Sequence, residues 1–537
     1  MGAARDLHEV ILVEDAPPPG AGPAVPAAPP DERRGPWSRP GPSRRAWRAA
    51  VVGVLLAALT VTLVAQSRER SHLAELAEVP GVLAQVDGPL TPLWSADTGT
   101  GEAVSSFGGR VLSVLEQADG SVDAVALDRR TGRQVWRTRV RAAGAVVAAL
   151  PGKVANDPST SGGEVSAGPL SGSCATPAGE PPASDPGGVR VFACVVVDAI
   201  AATSESLNGT TVAPTRARLV LIDAATGALV SDHPTSPTTT VATLGSDLVV
   251  ASIDEQGRAV VRRTDPTAAA PRWTFTSERP AAAAAGTARA ARNTSWISVS
   301  GDVVAVSVWD GVGSTGSTHW LLDGAGHELE LPAGSGDRVA IDATSSGRRV
   351  VAMSTTAADG FATTITDLAS GHSVTTPTYP SDLSLDDGSL PDLVLTEPAA
   401  RDRIVAVDLA TGRERWSARI GTDSRGISSV IVIEGRVLAS GADRLQCLDG
   451  ATGDVLWSVP VRPAEPSPLV TDGRAVLLIE QSAAGGAELA AYDASDGRAL
   501  WTTPVADSPV LVVLDGALYG AIYKNDKAEV VAFGSTS

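Results

Sequence analysis

Six histidines, three cysteines and one acidic run are the residues whose types could carry chemistry in this 537-residue chain. The histidines (His8, His72, His233, His319, His327, His372) are scattered. None forms an H-x-x-x-H pair, and no cysteine or carboxylate joins them at metal-ligand spacing. His319 and His327 stand at opposite ends of a turn predicted around Asp323. Asp382, Asp386, Asp387 and Asp392 could hold Ca2+, but they lack the D-x-D-x-D-G order of a calcium loop, and a solvated loop between strands is the better reading. No G-x-S-x-G elbow, P-loop or dinucleotide fingerprint stands in a fitting context. No catalytic, cofactor or metal residue is therefore expected. Cys174 and Cys194, twenty residues apart, read as a disulfide if the chain lies on the oxidising side of a membrane. Closing a loop of that size is worth roughly 3 kcal/mol in the chain-entropy model. Cys447, inside an apolar segment, reads as a packed free thiol.

The elements that would position these residues come from a repeat. Ile404-Val-Ala-Val-Asp408 is an apolar run closed by an acid; Thr411-Gly412 follows, and Trp416 stands eight residues after the Asp. Physically this is a strand, a tight turn and a second strand. Asp408 can accept hydrogen bonds from the backbone just after it, Gly412 can take a positive φ, and Trp416 offers a flat apolar anchor. The pattern recurs at Asp128, Thr131, Gly132 and Trp136; at Asp449, Thr452, Gly453 and Trp457; and at Asp493, Gly497 and Trp501. At Asp223, Thr226 and Gly227 a serine, Ser231, replaces the tryptophan. Weaker copies centre on Asp265 (with Trp273), Asp323 (Gly326) and Asp367 (Gly371). The Asp residues from Asp223 to Asp493 are spaced 42, 58, 44, 41, 41 and 44 residues apart. A period of roughly 40–45 residues with several short strands per unit is that of a propeller blade. Their fixed place before each turn marks these carboxylates as turn caps rather than catalysts.

The ends support a ring. Leu90-Thr-Pro-Leu-Trp94 matches the Trp-bearing strand but has no partner before it, and Ala528 to Phe533 matches the pre-turn strand with nothing after it. Leu93 to Ser95 should therefore complete the blade built by Val510 to Phe533, removing an exposed edge. Nine candidate pre-turn strands can be counted, and eight blades are expected, with seven to nine compatible with such degenerate repeats. The fold class is thus all-β, an eight-bladed propeller of four-stranded antiparallel blades at 89–537. An insertion loop at 153–188, rich in Ser, Gly, Pro and Ala, fills the long gap between Asp128 and Asp223. Asn208-Gly-Thr and Asn293-Thr-Ser match the glycosylation sequon, a short pattern with a high chance rate.

The N-terminal part is different. From Ala16 to Pro42 there are ten prolines, a composition that cannot bury a core, so 1–46 reads as a disordered cytoplasmic tail. Within it Leu7 to Glu14 could serve as a short docking peptide. Ala49 to Ala65 carries no charge and, with its flanks, spans roughly 27–30 Å, so 47–66 reads as one membrane helix. Six arginines crowd its N-terminal side and two its C-terminal side, which by the positive-inside rule leaves the tail in the cytoplasm and sends the rest across. Residues 67–88 read as a juxtamembrane connector with a short helix over Ser71 to Glu78, stopped by Pro80. The expected location is the cell membrane, single-pass, with the propeller outside. The formal net charge of −18 argues against a nucleic-acid partner.

The A-x-D-x-x-T-G-x-x-x-W unit, best seen from Ala126 to Trp136, Ala406 to Trp416 and Leu448 to Trp457, resembles the tryptophan-docking repeat of the pyrroloquinoline quinone (PQQ)-type β-propellers. That superfamily includes quinoprotein alcohol dehydrogenases and a non-enzymatic scaffold of outer-membrane barrel assembly. Its enzymes carry a vicinal Cys-Cys disulfide and calcium-ligating carboxylates around the quinone, and this chain has no adjacent cysteines. The high Ala, Arg and Gly with few Lys is similar to proteins of high-GC actinobacteria. The resemblance implies the fold and carries over no site. With the charge-free stretch and the missing catalytic motifs, the leading expectation is a membrane-anchored, extracytoplasmic, non-catalytic scaffold binding a protein or envelope component, with no cofactor. A sensor relaying an outside binding event to the tail, and a PQQ-dependent oxidoreductase, are the alternatives.

Overall fold

A strand covered on both faces is apolar at most positions rather than at alternate ones. The pre-turn segments follow this, with Asp123 (paired to Arg137 and Arg139) and Gln446 as buried polar exceptions. Val122–Asp128 is buried from Val122 to Leu127, Arg403–Asp408 from Ile404 to Val407, and Arg444–Asp449 from Leu445 to Leu448. The strands after the turns alternate instead. In Glu414–Arg419 only Trp416 and Ala418 are buried, as an outer strand with one solvated face requires. These are the third and fourth strands of four-stranded blades in a computed structural model. It describes residues 71–535 apart from 100–104, 118, 144–147, 150–170, 177–189, 207–208, 267, 269, 282–293, 310–317, 331–337, 344–348, 358–359, 422–425, 465–467, 483–484 and 525–526.

Blade 1 comprises Ser105–Phe107, Arg110–Glu116, Val122–Asp128 and Gln134–Arg141, in that order across the sheet. Blades 2 to 8 follow within 148–235, 240–280, 294–329, 338–376, 379–419, 427–460 and 470–505. Blade 9 is built from Val510–Leu514, Ala517–Lys524 and Lys527–Ser535 and is completed by Leu90–Gly99 from the other end of the chain. Ser95 lies opposite Val531 and Ala96 opposite Val530 in that antiparallel pair, the closure expected from the incomplete repeats.

Among the described residues there are nine such sheets, one more than the eight expected. The turns at Asp265, Asp323 and Asp367 depart from the Asp-x-x-Thr-Gly pattern, yet each belongs to a complete blade. Backbone ladders and apolar packing between blades need neither the Thr-Gly pair nor the tryptophan, so repeat quality undercounts the blades. Nine apolar clusters match the nine sheets, each joining one pair of neighbours. Leu112, Ala124, Phe192 and Ile222 join blades 1 and 2, for example, and Val111, Leu127, Tyr519 and Val530 join blade 9 back to blade 1. Val111 and Leu112 are adjacent in sequence and face opposite neighbours, so one strand serves two interfaces. Each fully buried aliphatic side chain of this kind contributes about 1.5–3 kcal/mol.

Two blades carry additions. In blade 2 the inner position is shared by Ala148–Ala149, parallel to Val191–Ser206, and Ser171–Ala175, antiparallel to it. Ser171–Ala175 lies within the 153–188 stretch expected to be an insertion loop. In blade 7, Leu383–Asp386 adds a parallel strand beside Ile427–Ile433.

Residues 71–88 lie along the first turns of blades 7 to 9. A helical turn at 71–76 places Leu76, with Val82, in the cluster between blades 7 and 8, and Leu83 enters the one between blades 8 and 9. Leu83 N–H donates to Thr471 O (2.8 Å), Ala84 N–H to Gly516 O (2.7 Å) and Val86 N–H to Asp472 Oδ2 (2.8 Å). His72 bonds the Glu434 carboxylate. No helix among the described residues is long and apolar enough to cross a membrane. The tail at 1–46 and the span expected at 47–66 lie outside the described residues, as do both sequon asparagines.

Candidate functional site: interblade latches and a central cleft

The repeat residues come together as latches between blades. Asp128 ends the third strand of blade 1, and its Oδ1 accepts from the N–H of Arg130 (3.1 Å), the N–H of Thr131 (2.9 Å) and the Thr131 hydroxyl (2.7 Å). Asp408 with Thr411 and Asp449 with Thr452 repeat the arrangement, and Asp223 does so with Thr226. Asp493 uses Ser495. The hydroxyl of Thr131, of Thr411 and of Ser495 is the first reason that Asp128, Asp408 and Asp493 ionise below the ordinary carboxylate range.

The glycine of each turn receives the tryptophan of the preceding blade. Trp94 reaches the Gly132 turn, donating its indole N–H to Arg129 O (3.1 Å). Trp136 reaches Gly227 with its N–H on Ala224 O (3.1 Å), and Trp273 reaches Gly326 with its N–H on Gly324 O (3.0 Å). Trp416 docks on Gly453 through Gly450 O (2.9 Å), and Trp457 on Gly497 through Ala494 O (3.0 Å). A Cβ added at Gly453 would lie 2.7 Å from the Trp416 ring, and its φ is +76°. Glycine is therefore required twice over, for the turn and for the ring.

Three predicted repeat positions differ. Trp501 packs in the cluster between blades 8 and 9. The third strand of blade 9 has no turn after it, because its fourth strand comes from the start of the chain. Gly412 meets Val374 instead of a tryptophan (Cβ contact 3.1 Å), and His372 Nε2 bonds Ala410 O (3.0 Å) where an indole would. Gly371 has open space before it. Cys174 and Cys194 form the disulfide, tying the short inner strand Ser171–Ala175 to Val191–Ser206. Cys447 is buried and free, its thiol pushed up to about 11 by burial.

A cleft of about 260 Å3 with mixed polar and apolar walls lies where blades 6 to 9 converge. Its walls come from the second strand of blade 6 (Glu397) and the loop after it (Arg401), the start of the inner strand of blade 7 (Ser428, Ser429), Pro468 before blade 8 and Val510 at the start of blade 9. Glu397 is only 4% exposed, and burial raises its carboxyl above the usual range against the pull of Arg401. Arg401 donates through Nε to Glu397 Oε2 (3.0 Å) and through Nη2 to Ile427 O (3.1 Å), while Ile427 N–H donates to Arg401 O (3.0 Å). Arg401 holds this position at φ +52°, a strained backbone for a non-glycine residue. Ser429 Oγ contacts Ser384 Oγ (2.7 Å) and accepts from Leu469 N–H (2.9 Å), tying blade 7 to blade 8. The cleft thus offers a carboxyl, a guanidinium and seryl hydroxyls on a rigid frame, groups suited to hydrogen-bonding a polar ligand.

Of these residues only Asp382, on the cleft wall, was singled out from sequence, as part of the acidic run. Its companions Asp386 and Asp387 cap turns, accepting from Gly388 N–H (2.7 Å) and Ser389 N–H (2.9 Å). Glu397 closes the apolar run Leu393-Val-Leu-Thr, and a carboxylate ending a buried strand without a Thr-Gly turn was the signal available for it. PQQ, which the resemblance brings to mind, is a tricarboxylate. The cleft sets two carboxylates, Asp382 and Glu397, against one guanidinium that already holds Glu397, and the disulfide joins cysteines twenty residues apart. These residues do not fit that cofactor.

Residues 391–533, which span most of blades 6 to 9, match the family described as outer membrane protein assembly factor BamB. No curated protein matches the sequence. Among solved structures, BamB from Moraxella catarrhalis aligns with 83% of this chain and 100% of its own at 12% identity, TM-score 0.37. Quinohemoprotein alcohol dehydrogenase from Comamonas testosteroni covers 83% and 77% at 14% identity, TM-score 0.38. A europium-containing methanol dehydrogenase covers 87% and 100% at 13% identity, TM-score 0.40.

Proposed function

We propose, from the premise that this chain is a propeller of PQQ-like repeats, that it is a membrane-anchored extracytoplasmic scaffold that binds a protein or cell-envelope partner without catalysis. The observation that carries the reading is a coincidence of place. The segment that matches the assembly-factor family spans most of blades 6 to 9, and the same blades line the cleft that holds Glu397 and Arg401. A cleft at the meeting of several blades, with satisfied hydrogen bonds behind it, is the kind of rigid concave surface on which a partner's polar side chain can dock. The charge-free stretch Ala49 to Ala65 with its flanking arginines supports the anchor and its orientation.

The test is cross-linking in intact cells from a photoreactive residue at Ser428, with the same residue placed on the outer strand of blade 5 at Thr375 as a control. A defined partner captured from Ser428 and lost in Arg401→Ala supports the reading; identical capture from both positions removes the cleft from it. A sensor role is the second reading, favoured by the packing of 71–88 onto the turns of blades 7 to 9. Deleting Leu7 to Glu14 should then abolish a cellular response while the propeller stays folded.

A further inference from the structure

The outer strands carry a second pattern, unrelated to the cleft. In blades 9, 1, 2, 6, 7 and 8 a β-bulge falls immediately before the tryptophan position, at Pro92/Trp94, Ala126/Leu127, Leu229/Ser231, Ala406/Val407, Cys447/Leu448 and Ala491/Tyr492. A bulged residue leaves the ladder and is aimed away from it. In five blades that residue is aliphatic and exposed: Leu456, Leu500, Leu93, Val135 and Val230. At the matching place blades 3 to 6 have Arg272, Glu328, Ser373 and Arg415. Because blade 9 packs on blade 1, blades 7, 8, 9, 1 and 2 are consecutive, and the aliphatic residues form one arc. A single exposed aliphatic needs no explanation, but its recurrence at one strand position of five successive blades does.

At the middle of the arc, on the seam between blades 9 and 1, lies a cavity of about 320 Å3. Leu93, Leu518, Tyr519 and Phe533 make its apolar walls, and Arg129 and Arg130 stand beside them. Neither arginine makes an ion pair among the described residues. Tyr519 is 2% exposed, and its hydroxyl has no hydrogen-bond partner among the described residues. A buried phenol left without a partner costs free energy unless something supplies an acceptor. Burial also pushes this phenol up to about 12, against the pull of Arg129, so it stays protonated and can only benefit from an acceptor. Apolar walls, an unused donor and two unpaired cations call for a ligand with an apolar chain and an anionic head.

We propose that this seam binds the phosphate head and upper acyl chain of an anionic phospholipid, and that the aliphatic arc rests on the lipid surface around it. Charge complementarity favours this occupant. In a chain of net charge −18 the blade 1 turn sets Arg129 and Arg130 beside the apolar wall. The strand bearing Leu93 is also the first the chain builds after the charge-free stretch Ala49 to Ala65. The proposal rests on the membrane anchor proposed above only for the nearness of lipid; the seam's chemistry stands without it.

The experiment places the full chain in nanodiscs with a photoactivatable phosphatidylglycerol or its phosphatidylcholine counterpart and maps the adducts by peptide mass spectrometry. Severalfold more labelling by the anionic lipid, on the peptides holding Leu93, Arg129 to Arg130 and Leu518 to Tyr519, is expected. Arg129→Gln with Arg130→Gln should cut it severalfold. Tyr519→Phe, which keeps the ring and its packing, should lower it too, and Arg413→Gln with Arg415→Gln in blade 6 should not. Equal labelling by both lipids, labelling centred on blades 3 to 6, or labelling indifferent to the arginines overturns the proposal. A parallel arm uses soluble lysophosphatidylglycerol on full-length protein in solution. Seam labelling there, from protein that a carbonate wash strips off membranes, would sink the anchor and keep the seam; a washed-in protein with an unlabelled seam would do the reverse. Displacement of the lysolipid by a peptide with an apolar C-terminal residue, at lower concentration than by unlabelled lysolipid, would overturn it in favour of a peptide.

Discussion

Gly453 and Gly371 have nearly the same backbone, φ +76° and +70°, but different neighbours. The Trp416 ring covers the first, and no described residue would touch a Cβ at the second. Gly453→Ala should therefore pay strain and a clash together, about 2–4 kcal/mol, and Gly371→Ala the strain alone, about 1 kcal/mol. Denaturant midpoints of the two variants measure the difference, and equal losses would mean that the ring contact carries no energy. Titration at this scale runs in opposite directions. The depressed values of Asp128, Asp408 and Asp493 stabilise the fold above the ordinary carboxylate value of about 3.9 and lose that contribution as pH falls through their folded values. Glu397 is raised, so its burial cost is absent below about 4.3 and present above its folded value. Stability of Glu397→Gln relative to the parent should rise across that window in denaturant titrations at several pH values; a constant offset would contradict it.

At the scale of elements, the outer strand is the versatile one. Its inward residue can be Trp416, or Val374 helped by His372, without loss of the blade, because the backbone ladder and the interblade cluster remain. In blade 2 the short inner strand Ser171–Ala175 is held to the sheet by the disulfide and to blade 3 by Ser173, which accepts from Val241 N–H (3.0 Å). Replacing Cys174 and Cys194 together with serine should cost about 2–4 kcal/mol, most of it through the unfolded chain. Hydrogen exchange should show the loss as faster opening of blades 2 and 3. Uniform destabilisation with no change in their protection would speak against a local staple.

For the whole molecule, stability is that of a ring whose nine interfaces close on one another. Leu90–Gly99 is the piece that ends the series, since it covers the edge of Lys527–Ser535 and supplies Trp94 to the Gly132 turn. Deleting 90–99 should expose an apolar strand edge and yield aggregates by light scattering. The milder Trp94→Ala should stay monomeric and lose about 3–5 kcal/mol. A monomeric deletion variant with an unchanged unfolding midpoint would show that the ring does not depend on its clasp.

Much of this was legible in the chain itself. The spacing of Asp, Thr-Gly and Trp determined the hairpin, its turn chemistry and the closure of blade 9, because each depends on residues within about twelve positions or on two complementary ends. The disulfide was legible because only three cysteines exist and two of them stand twenty residues apart. Nine pre-turn strands could be counted in the chain, but whether each closes a blade of its own could not be read there, since the strands around Asp265, Asp323 and Asp367 are held by neighbours far away in sequence. Only the tertiary structure brought Glu397, Arg401, Ser429 and Val510 to one cleft, or lined Leu456, Leu500, Leu93, Val135 and Val230 along one rim. A repeat determines what each blade can be, whereas a site shared by several blades exists only once the ring has set their order in space.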